Sequence, residues 1–430
     1  MQDATRISIE ISLDRTPSRR RTDVTQAISG WAASYHAAVH VLIVNRYYLP
    51  DFEMPHAIAR RFAEDGHGVT VFTGPPIGAD NTPTHKTVVD GVQLIRVWMP
   101  RLNKATWRRL RDMVVFAAKL AWHLLRHGSR YDIVIASSSP PLSTGAAASA
   151  LAGLKRFSFV YHCPDIYPEV LMAPSVATRS RLARVAARVD TWVTRHATAV
   201  VVLSSDMAET IRERGIPGHK VRIIPNFITY ETKTAPLPPE LQRTNHHFRV
   251  LFAGNVGLVQ GLDTVIEAAR ELEGERSIEF LFVGDGAARD SLQEQAKDLI
   301  GGSVRFFPRY PIAEVNSLMK ECDLGLVALA PRVHRVAFPS KVMAYLVAGC
   351  PILAVVEGDS DLADLVEKNG LGWVAEPNDP RQLAETIRTA FASRASRDPS
   401  RLIEVAYREF GPDNALGRWS SLISEIGSLA

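Results

Sequence analysis

Residues 338–355, FPSKVMAYLVAGCPILAV, decide the fold class of this chain. Ser340 stands where a side chain can cap the start of a helix, and residues 341–348 have the composition of a short helix. Gly349 takes the position at which a glycine commonly ends a helix, and the apolar run 352–356 is typical of a buried parallel strand. The start of such a helix offers free N–H groups to an anion, although an ordinary crossover helix has the same pattern.

The composition indicates a globular protein of two or three domains. The 430 residues are 46% hydrophobic and 22% charged, and the net charge of +4 does not by itself argue for a nucleic-acid partner. Cys163, Cys322 and Cys350 are too scattered for a disulfide framework or a zinc site, and their apolar neighbours predict buried free thiols in a reducing compartment. No apolar run approaches the ~18–20 residues of a spanning helix, and the N-terminus lacks the apolar core of a secretory signal, so we expect a cytoplasmic protein.

Strand and helix patterns alternate along the chain in two successive series. This alternation predicts an α/β fold of two Rossmann-like, doubly wound domains that face each other across a cleft, where ligands of such sheets bind. The predicted boundaries are a polar, arginine-rich tail over residues 1–38 with a short helix over 25–38, an N-terminal domain over 39–231, a proline-containing linker over 232–248, a C-terminal domain over 249–399, and helices over 400–430 that pack back on the N-terminal domain.

Three turns of the C-terminal domain have the chemistry of a diphosphate site. Two are glycine-bearing loops that follow strands and precede helices, and the third is the helix start, where Lys341 supplies a cation. Each turn alone is weak evidence for a phosphate site, because glycines at such turns commonly serve the turn itself. Three such turns in order favour a nucleotide diphosphate. The candidate residues are Gly254, Asn255, Val256 and Gly257 in the first loop, Gly284, Asp285 and Gly286 in the second, and Phe338, Pro339, Ser340 and Lys341 at the helix start.

Two groups of polar residues in the N-terminal domain also follow predicted strands. His162 and Asp165 lie three apart in a proline-held loop, and Glu53 and His56 lie in the first βα loop on the acceptor side of the cleft. The structural alternatives are a histidine that only caps its strand and a solvated loop acid. Metal-binding motifs, a Walker loop and a G-x-G-x-x-G fingerprint are absent from the sequence, so we expect no metal and no resident cofactor.

Residues 101–130 form the most basic segment of the chain. They contain eight lysines and arginines against the single acid Asp112, with tryptophan and aliphatic residues at helical spacing. Residues 179–195 repeat this pattern, with five arginines against Asp190. Such helices suit contact with an anionic membrane surface, and they equally suit helices that bury one face in their own domain.

The order of these motifs resembles glycosyltransferase family 4, whose members are retaining enzymes of the GT-B fold. The resemblance covers roughly residues 39–395 and rests on HCPDIYPE, FAGNVGLVQG, FVGDGAARDSL and FPSKVMAYLVAGCPILAV. The chain looks most similar to the bacterial branch that builds O-antigen and exopolysaccharide repeat units.

This resemblance implies transfer of a sugar from a nucleotide diphosphate sugar, with UDP-sugar favoured, to a glycan or lipid-linked saccharide. It implies retention of configuration without a metal, at the inner face of the plasma membrane. His162 would touch the transferred sugar, while Lys341 and the N–H groups of residues 254–257 would hold the diphosphate. Asp165 matches the acid of the same family loop.

The sequence departs from the family pattern at two places. The usual loop arginine and lysine are replaced by Asn255 and Gln260, and the paired glutamates would fall near Val336 and Ala344. The contacts that these family residues usually make would have to come from Lys341, the loop N–H groups, and Arg335 or Asn255. These losses leave two alternatives: a non-catalytic nucleotide-sugar-binding subunit of a transferase complex, and a nucleotide-sugar 2-epimerase on the same fold.

Overall fold

The computed structural model describes residues 38–77, 79, 83–100, 106–140, 142–171, 181–229, 232–243, 247–275, 277–393 and 398–428. The predicted tail and its helix over 25–38 lie outside these ranges except for their last residue, as do residues 101–105 and 179–180 of the basic segments. Within the described ranges, no helix is both long enough and apolar enough to cross a membrane.

In the described ranges, two sheets divide the strands. The N-terminal sheet contains β1 His40–Val44, β2 Gly68–Thr73, β3 His85–Val89, β4 Val92–Arg96, β5 Ile133–Ser137, β6 Ser158–His162, β7 Ala199–Val202 and β8 Val221–Ile223. The C-terminal sheet contains β9 Phe248–Ala253, β10 Ile278–Val283, β11 Val304–Phe307, β12 Leu324–Ala328, β13 Ile352–Val355 and β14 Gly372–Ala375.

The strand order of both sheets is that of a doubly wound fold. It is β3-β4-β2-β1-β5-β6-β7-β8 in the first sheet and β11-β10-β9-β12-β13-β14 in the second. Neighbours pair in parallel except for the β3–β4 hairpin, which turns at Asp90-Gly91. The order reverses between β1 and β5 and between β9 and β12, and ligands of open α/β sheets bind at such switch points.

Helices cover both faces of each sheet. They are α1 Met54–Glu64, α2 Thr106–His127, α3 Ser143–Lys155, α4 Arg181–His196, α5 Ser205–Glu213, α6 Leu262–Glu271, α7 Arg289–Gln295, α8 Ile312–Glu321, α9 Lys341–Val347, α10 Asp361–Asn369, α11 Pro380–Ala392, α12 Pro399–Phe410 and α13 Pro412–Gly427. On the N-terminal sheet, α2–α5 share one face, while α1 and α13 share the other. On the C-terminal sheet, one face is covered by α6, α7 and α11, and the other face is covered by α8, α9, α10 and α12.

The chain passes between the two sheets twice, at neighbouring points. The first passage follows β8, and the second is the junction of α12 with α13, at Gly411-Pro412. Ile228 N–H donates to the carbonyl oxygen of Phe410 at 2.9 Å, which joins the two passages. Because α12 packs in the C-terminal core and α13 in the N-terminal core, the end of the chain belongs to both halves.

Two details of the predicted elements were wrong. Ser340 precedes α9, but its backbone is already helical and its side chain caps no N–H group. The short, half-buried edge strand β14, which begins two residues after Gly370, was not predicted. Gly372 is needed there, because a Cβ atom would lie 1.8 Å from the carbonyl oxygen of Ile352. The three cysteines are buried and free, as predicted.

Tyr345 closes the gap at which β9 and β12 diverge. Those strands pair only at Leu324 with Val250 and at Gly325 with Leu251. Beyond this point the buried Tyr345 hydroxyl donates to the Leu251 carbonyl at 2.8 Å and accepts from the Ala253 N–H at 2.9 Å. The side chain therefore replaces the missing ladder bonds and fixes α9 against the switch point.

We expect Tyr345→Phe to lower the free energy of unfolding by about 1–3 kcal/mol, because it leaves two buried backbone groups without a partner. Urea unfolding followed by circular dichroism measures the change. The matched control is Tyr407→Phe, at a tyrosine that is 49% exposed. Equal, small losses in the two variants would contradict this role of the Tyr345 hydroxyl.

Candidate active site

The two predicted glycine loops pack on each other at the carboxyl ends of β9 and β10. Val256 N–H donates to the carbonyl oxygen of Asp285 at 3.0 Å. A Cβ atom on Gly284 would lie 1.8 Å from the Gly254 oxygen, and one on Gly286 would lie 2.1 Å from the Val256 oxygen. Only glycine permits this backbone-to-backbone contact, so the loops form one rigid unit beside the switch point.

Most N–H groups of these loops are already donors within the protein. Gly254 N–H donates to Val283, and Gly257 N–H donates to the Gln260 side chain at 3.0 Å. The Gly286 N–H donates to the Asp285 carboxylate at 2.9 Å. In this arrangement the loop amides therefore stabilise the loops themselves, and the role of the N–H groups of residues 254–257 in holding a diphosphate stays a prediction.

Lys341 brings a cation to the glycine unit. Its ammonium nitrogen lies 4.3 Å from the centroid of the Phe252 ring, and a Cβ atom on Gly254 would lie 2.8 Å from its Cε. Burial lowers the pKa of Lys341 to about 8. Among the described residues no carboxylate lies within ion-pair distance of this ammonium group. A desolvated cation without a counterion, beside rigid loops at a switch point, is suited to an anionic ligand.

His162 ends β6 on the opposite side of the cleft, on the face of the sheet covered by α1 and α13. The edge of its ring meets Trp419, with ring centroids 5.2 Å apart and planes at 86°. A cavity of about 40 Å³ adjoins the ring and is lined mainly by apolar side chains, with Asn45 and Ser137 as polar neighbours. Burial lowers the pKa of His162 to about 4, so the imidazole is neutral at physiological pH.

Asp165 lies where the two halves of the molecule meet. It forms an antiparallel bridge with Ala337, and the next N–H, that of Ile166, donates to the Val336 oxygen at 2.8 Å. The Ser138 hydroxyl donates a hydrogen bond to the Asp165 carbonyl oxygen at 2.9 Å. Burial raises the pKa of the Asp165 carboxyl to about 6. The loop with His162 and Asp165 is thus docked on the segment that leads to Lys341.

The positions of the missing glutamates serve packing instead. Val336 is buried in the N-terminal core, although it belongs to the C-terminal half of the chain, and Ala344 packs against the C-terminal core. Phe338 contacts both cores, and its ring centroid lies 6.2 Å from that of Phe410. The segment before α9 therefore joins the two halves.

Arg335, which the sequence offered with Asn255 as an alternative substitute, has its guanidinium engaged within the protein. Its guanidinium pairs with Glu213 of α5 at 2.6 Å, and its carbonyl accepts from Thr210 at 2.8 Å. Both partners belong to the N-terminal half, so Arg335 is an interdomain residue. Asn255 remains exposed on the first glycine loop, where it follows Gly254, the residue that Lys341 approaches.

Reciprocal caps between α5 and α10, which the sequence analysis missed, add a second interdomain contact. The Asp361 carboxylate accepts from Ser205 N–H and from Asp206 N–H, the latter at 3.3 Å. The Asp206 carboxylate in turn accepts from Asp361 N–H at 2.9 Å. Serine caps at the start of both helices, Ser204 and Ser360, were the readable signal, but local sequence does not reveal that the two helix starts face each other.

The two predicted acceptor-side residues have different environments. Glu53 is exposed at the start of α1 and its side chain caps no N–H group. His56 is buried, with the Tyr48 hydroxyl 2.8 Å from Nδ1 and Asp90 2.9 Å from Nε2. Both ring nitrogens of His56 are thus engaged, which ties α1 to the β3–β4 turn.

Comparison with known proteins identifies the class. Residues 54–226 match the family model of a glycosyl transferase 4-like domain, and residues 247–393 match that of glycosyl transferases group 1. The fold, the cleft and these two matches define a glycosyltransferase. The chain belongs to the GT-B glycosyltransferases of family 4.

Curated relatives and solved structures agree with this assignment. The probable glycosyltransferase WbjE of Pseudomonas aeruginosa is 29% identical over 328 residues, 74% of this chain and 80% of that protein. WcaI of Escherichia coli K12, a putative colanic acid biosynthesis glycosyl transferase, is 24% identical over 82% of this chain and 91% of its own. Anabaena HepE in complex with UDP and glucose is 16% identical, with a TM-score of 0.65 over 90% of this chain and 100% of that one.

We expect Asp165→Asn to stabilise the protein at pH 8 and to leave it nearly unchanged at pH 4. A carboxyl whose pKa is raised on folding binds its proton more tightly in the folded state, so wild-type stability falls as pH rises from about 4 to about 6. The gain at pH 8 should be up to about 3 kcal/mol, at about 1.4 kcal/mol for each pKa unit.

Urea unfolding at several pH values tests this, with the exposed Asp290→Asn as the matched control. The control should show no gain at pH 8. A less stable Asp165→Asn variant at pH 8 would mean that a partner stabilises the ionised carboxylate, and it would contradict the prediction.

Proposed function

We propose that this enzyme transfers a sugar, with retention, from a UDP-sugar to a glycan or lipid-linked saccharide in cell-surface polysaccharide synthesis. The observation that carries the proposal is Lys341, a half-buried, desolvated cation without a carboxylate partner among the described residues, at the C-terminal switch point. It faces the diphosphate position expected for a nucleotide sugar in this fold. The UDP in the HepE structure supports the donor, and the putative role of WcaI in colanic acid biosynthesis supports the pathway.

In this mechanism the protein acts by positioning and by stabilising charge. Lys341 neutralises the diphosphate as it leaves, and its low-dielectric surroundings strengthen that interaction. The neutral His162 imidazole forms a hydrogen bond with the transferred sugar, and Asp165 keeps its loop on the C-terminal half. The departing diphosphate accepts the proton of the acceptor hydroxyl, so the reaction needs neither a carboxylate nucleophile nor a metal.

We expect Lys341→Met to weaken UDP binding by about ten- to a hundredfold, the worth of a charge-assisted hydrogen bond of about 1.5–3 kcal/mol. Wild-type affinity should be constant well below pH 8 and should fall above it, because only the ammonium form binds the diphosphate. The Met variant should lose this pH dependence. Calorimetric titration with UDP without added metal measures both effects.

The exposed lysine variant Lys297→Met is the matched control and should bind UDP as the wild type does. His162→Ala should leave UDP affinity unchanged and lower the rate of transfer. Unchanged UDP affinity in the Lys341 variant would remove this residue from the diphosphate site. Inversion at the anomeric carbon of the product, read by proton NMR, would overturn the retaining mechanism.

We also propose that the outer face of α2, α3 and α4 contacts the anionic inner surface of the plasma membrane. α3 lies between the other two helices. The acids of these helices, Asp112 and Asp190, are buried. The exposed side chains of this three-helix face, within the described residues, are basic or apolar, and they include Arg111, Val114, Trp122, Leu125, Arg126, Leu154, Arg184, Val185, Arg188, Trp192 and Arg195. Basic charge with exposed tryptophan is the pattern of interfacial binding.

The double variant Arg184→Glu/Arg188→Glu should bind vesicles containing phosphatidylglycerol at least about tenfold more weakly, at about 1 kcal/mol for each basic group near the surface. Vesicle sedimentation measures the binding, and raised salt should weaken that of the wild type. Arg60→Glu, on the opposite face of the sheet, is the matched control. Equal binding to neutral phosphatidylcholine vesicles, with no effect of the double variant, would contradict the proposal.

A further inference from the structure

Trp419 contributes to the surroundings of His162 from the far end of the chain. It lies in the middle of α13 and is 2% exposed. Its indole meets the His162 ring edge-on at 5.2 Å and the Phe62 ring at 6.4 Å. Three side-chain contacts attach the rest of α13 to the N-terminal half: Ser420 with Asp65, Glu425 with Arg222, and Arg418 with the Ile223 carbonyl oxygen. The tryptophan is thus held firmly against the histidine.

We propose that Trp419 is a positioning residue. It fixes the His162 ring toward the cleft and excludes water from the surroundings of that ring. The inference rests on the proposed function, in which His162 meets the transferred sugar. It extends the active site to α13, a helix that lies outside both family matches.

Packing, rather than hydrogen bonding, orients the His162 ring. Among the described residues no side chain is hydrogen-bonded to it, in contrast to His56, whose two nitrogens are both engaged. The residues around the adjoining cavity come from β1, β5, β6, α1 and α13, and none of them carries a charge. Asp165, three residues along the chain, is the nearest acid in sequence. Trp419 is therefore the large side chain that can hold the ring in one orientation.

The exclusion of water has a chemical consequence. A histidine that contacts a sugar hydroxyl as a neutral group must remain unprotonated over the working pH range. With no charged neighbour lining the cavity, burial alone supplies that condition, and it lowers the pKa of His162 to about 4. An opened cavity would return the pKa toward the ordinary value of about 6.5.

The test follows the His162 ring directly by NMR in the full chain with histidine ring labels, and assigns its signal through the His162→Gln variant. In the wild type the pKa should be near 4. In Trp419→Leu it should move toward 6.5, with Trp419→Phe in between. The matched control is Trp192→Ala, which removes an exposed tryptophan whose ring lies 4.8 Å from that of His196; the pKa of His162 should not change.

The kcat of Trp419→Leu should fall at the pH values at which His162 becomes protonated. If the pKa of His162 reaches about 6.5, about three quarters of the enzyme is protonated at pH 6, so kcat of Trp419→Leu should fall about fourfold there and recover at pH 8. The donor affinity should stay as in the wild type. A merely structural loss would lower kcat equally at both pH values.

Either of two results overturns the proposal: a wild-type His162 pKa near 6.5, which needs no variant to fold, or an unchanged pKa in both Trp419 variants. Failure of the proposed function is a separate outcome. In that case the Trp419 variants move the pKa of His162, while the wild type neither binds UDP nor transfers sugar.

Discussion

The arrangement of the two halves depends on an electrostatic constraint, the meeting of two helix starts. The first turns of α5 and α10 each carry partial positive charge and unpaired N–H groups, so their approach would be unfavourable without acids between them. Asp206 and Asp361 each accept from the other helix, which satisfies these groups and cancels the repulsion. This contact, with the Arg335–Glu213 pair, holds the His162 loop against the segment that leads to Lys341.

Charged groups in the interior fall into two kinds. Arg249 is almost fully buried, and its guanidinium is satisfied by Glu279 and by the carbonyl oxygens of Leu241 and Gln242. That arginine fixes the connecting segment to β9 and has no capacity left for a ligand. Lys341 is also desolvated, but its neighbours are a phenyl ring and glycine backbone. The contrast between a satisfied and an unsatisfied buried cation separates a structural role from a ligand-binding one.

Sequence patterns predicted the local parts of this molecule well and the long-range parts poorly. The strands β10 and β11 and the glycine turns that follow β9 and β10 are predicted by apolar runs and turn chemistry, because these are properties of adjacent residues. β14 was missed, since a four-residue, half-buried edge strand gives little periodic signal. Tyr345 and Trp419 were missed because their partners lie 92 and more than 250 residues away, and no local pattern encodes such contacts. For the same reason the interdomain role of Arg335 was missed: its charge was visible in the sequence, but its partner Glu213 was not.

The return of α13 to the first sheet also constrains how the molecule is made. The core on that face of the N-terminal sheet includes Trp419, Ile423 and Ile426, which are synthesised after the whole C-terminal half. At about 5–20 residues per second, the interval between completion of β8 and the start of α13 is roughly 10–40 s. During this time the face of β1 and β5 is covered by α1 alone and lacks α13, so the first domain to emerge from the ribosome is the last to complete its core, and cellular chaperones have a defined apolar surface to protect.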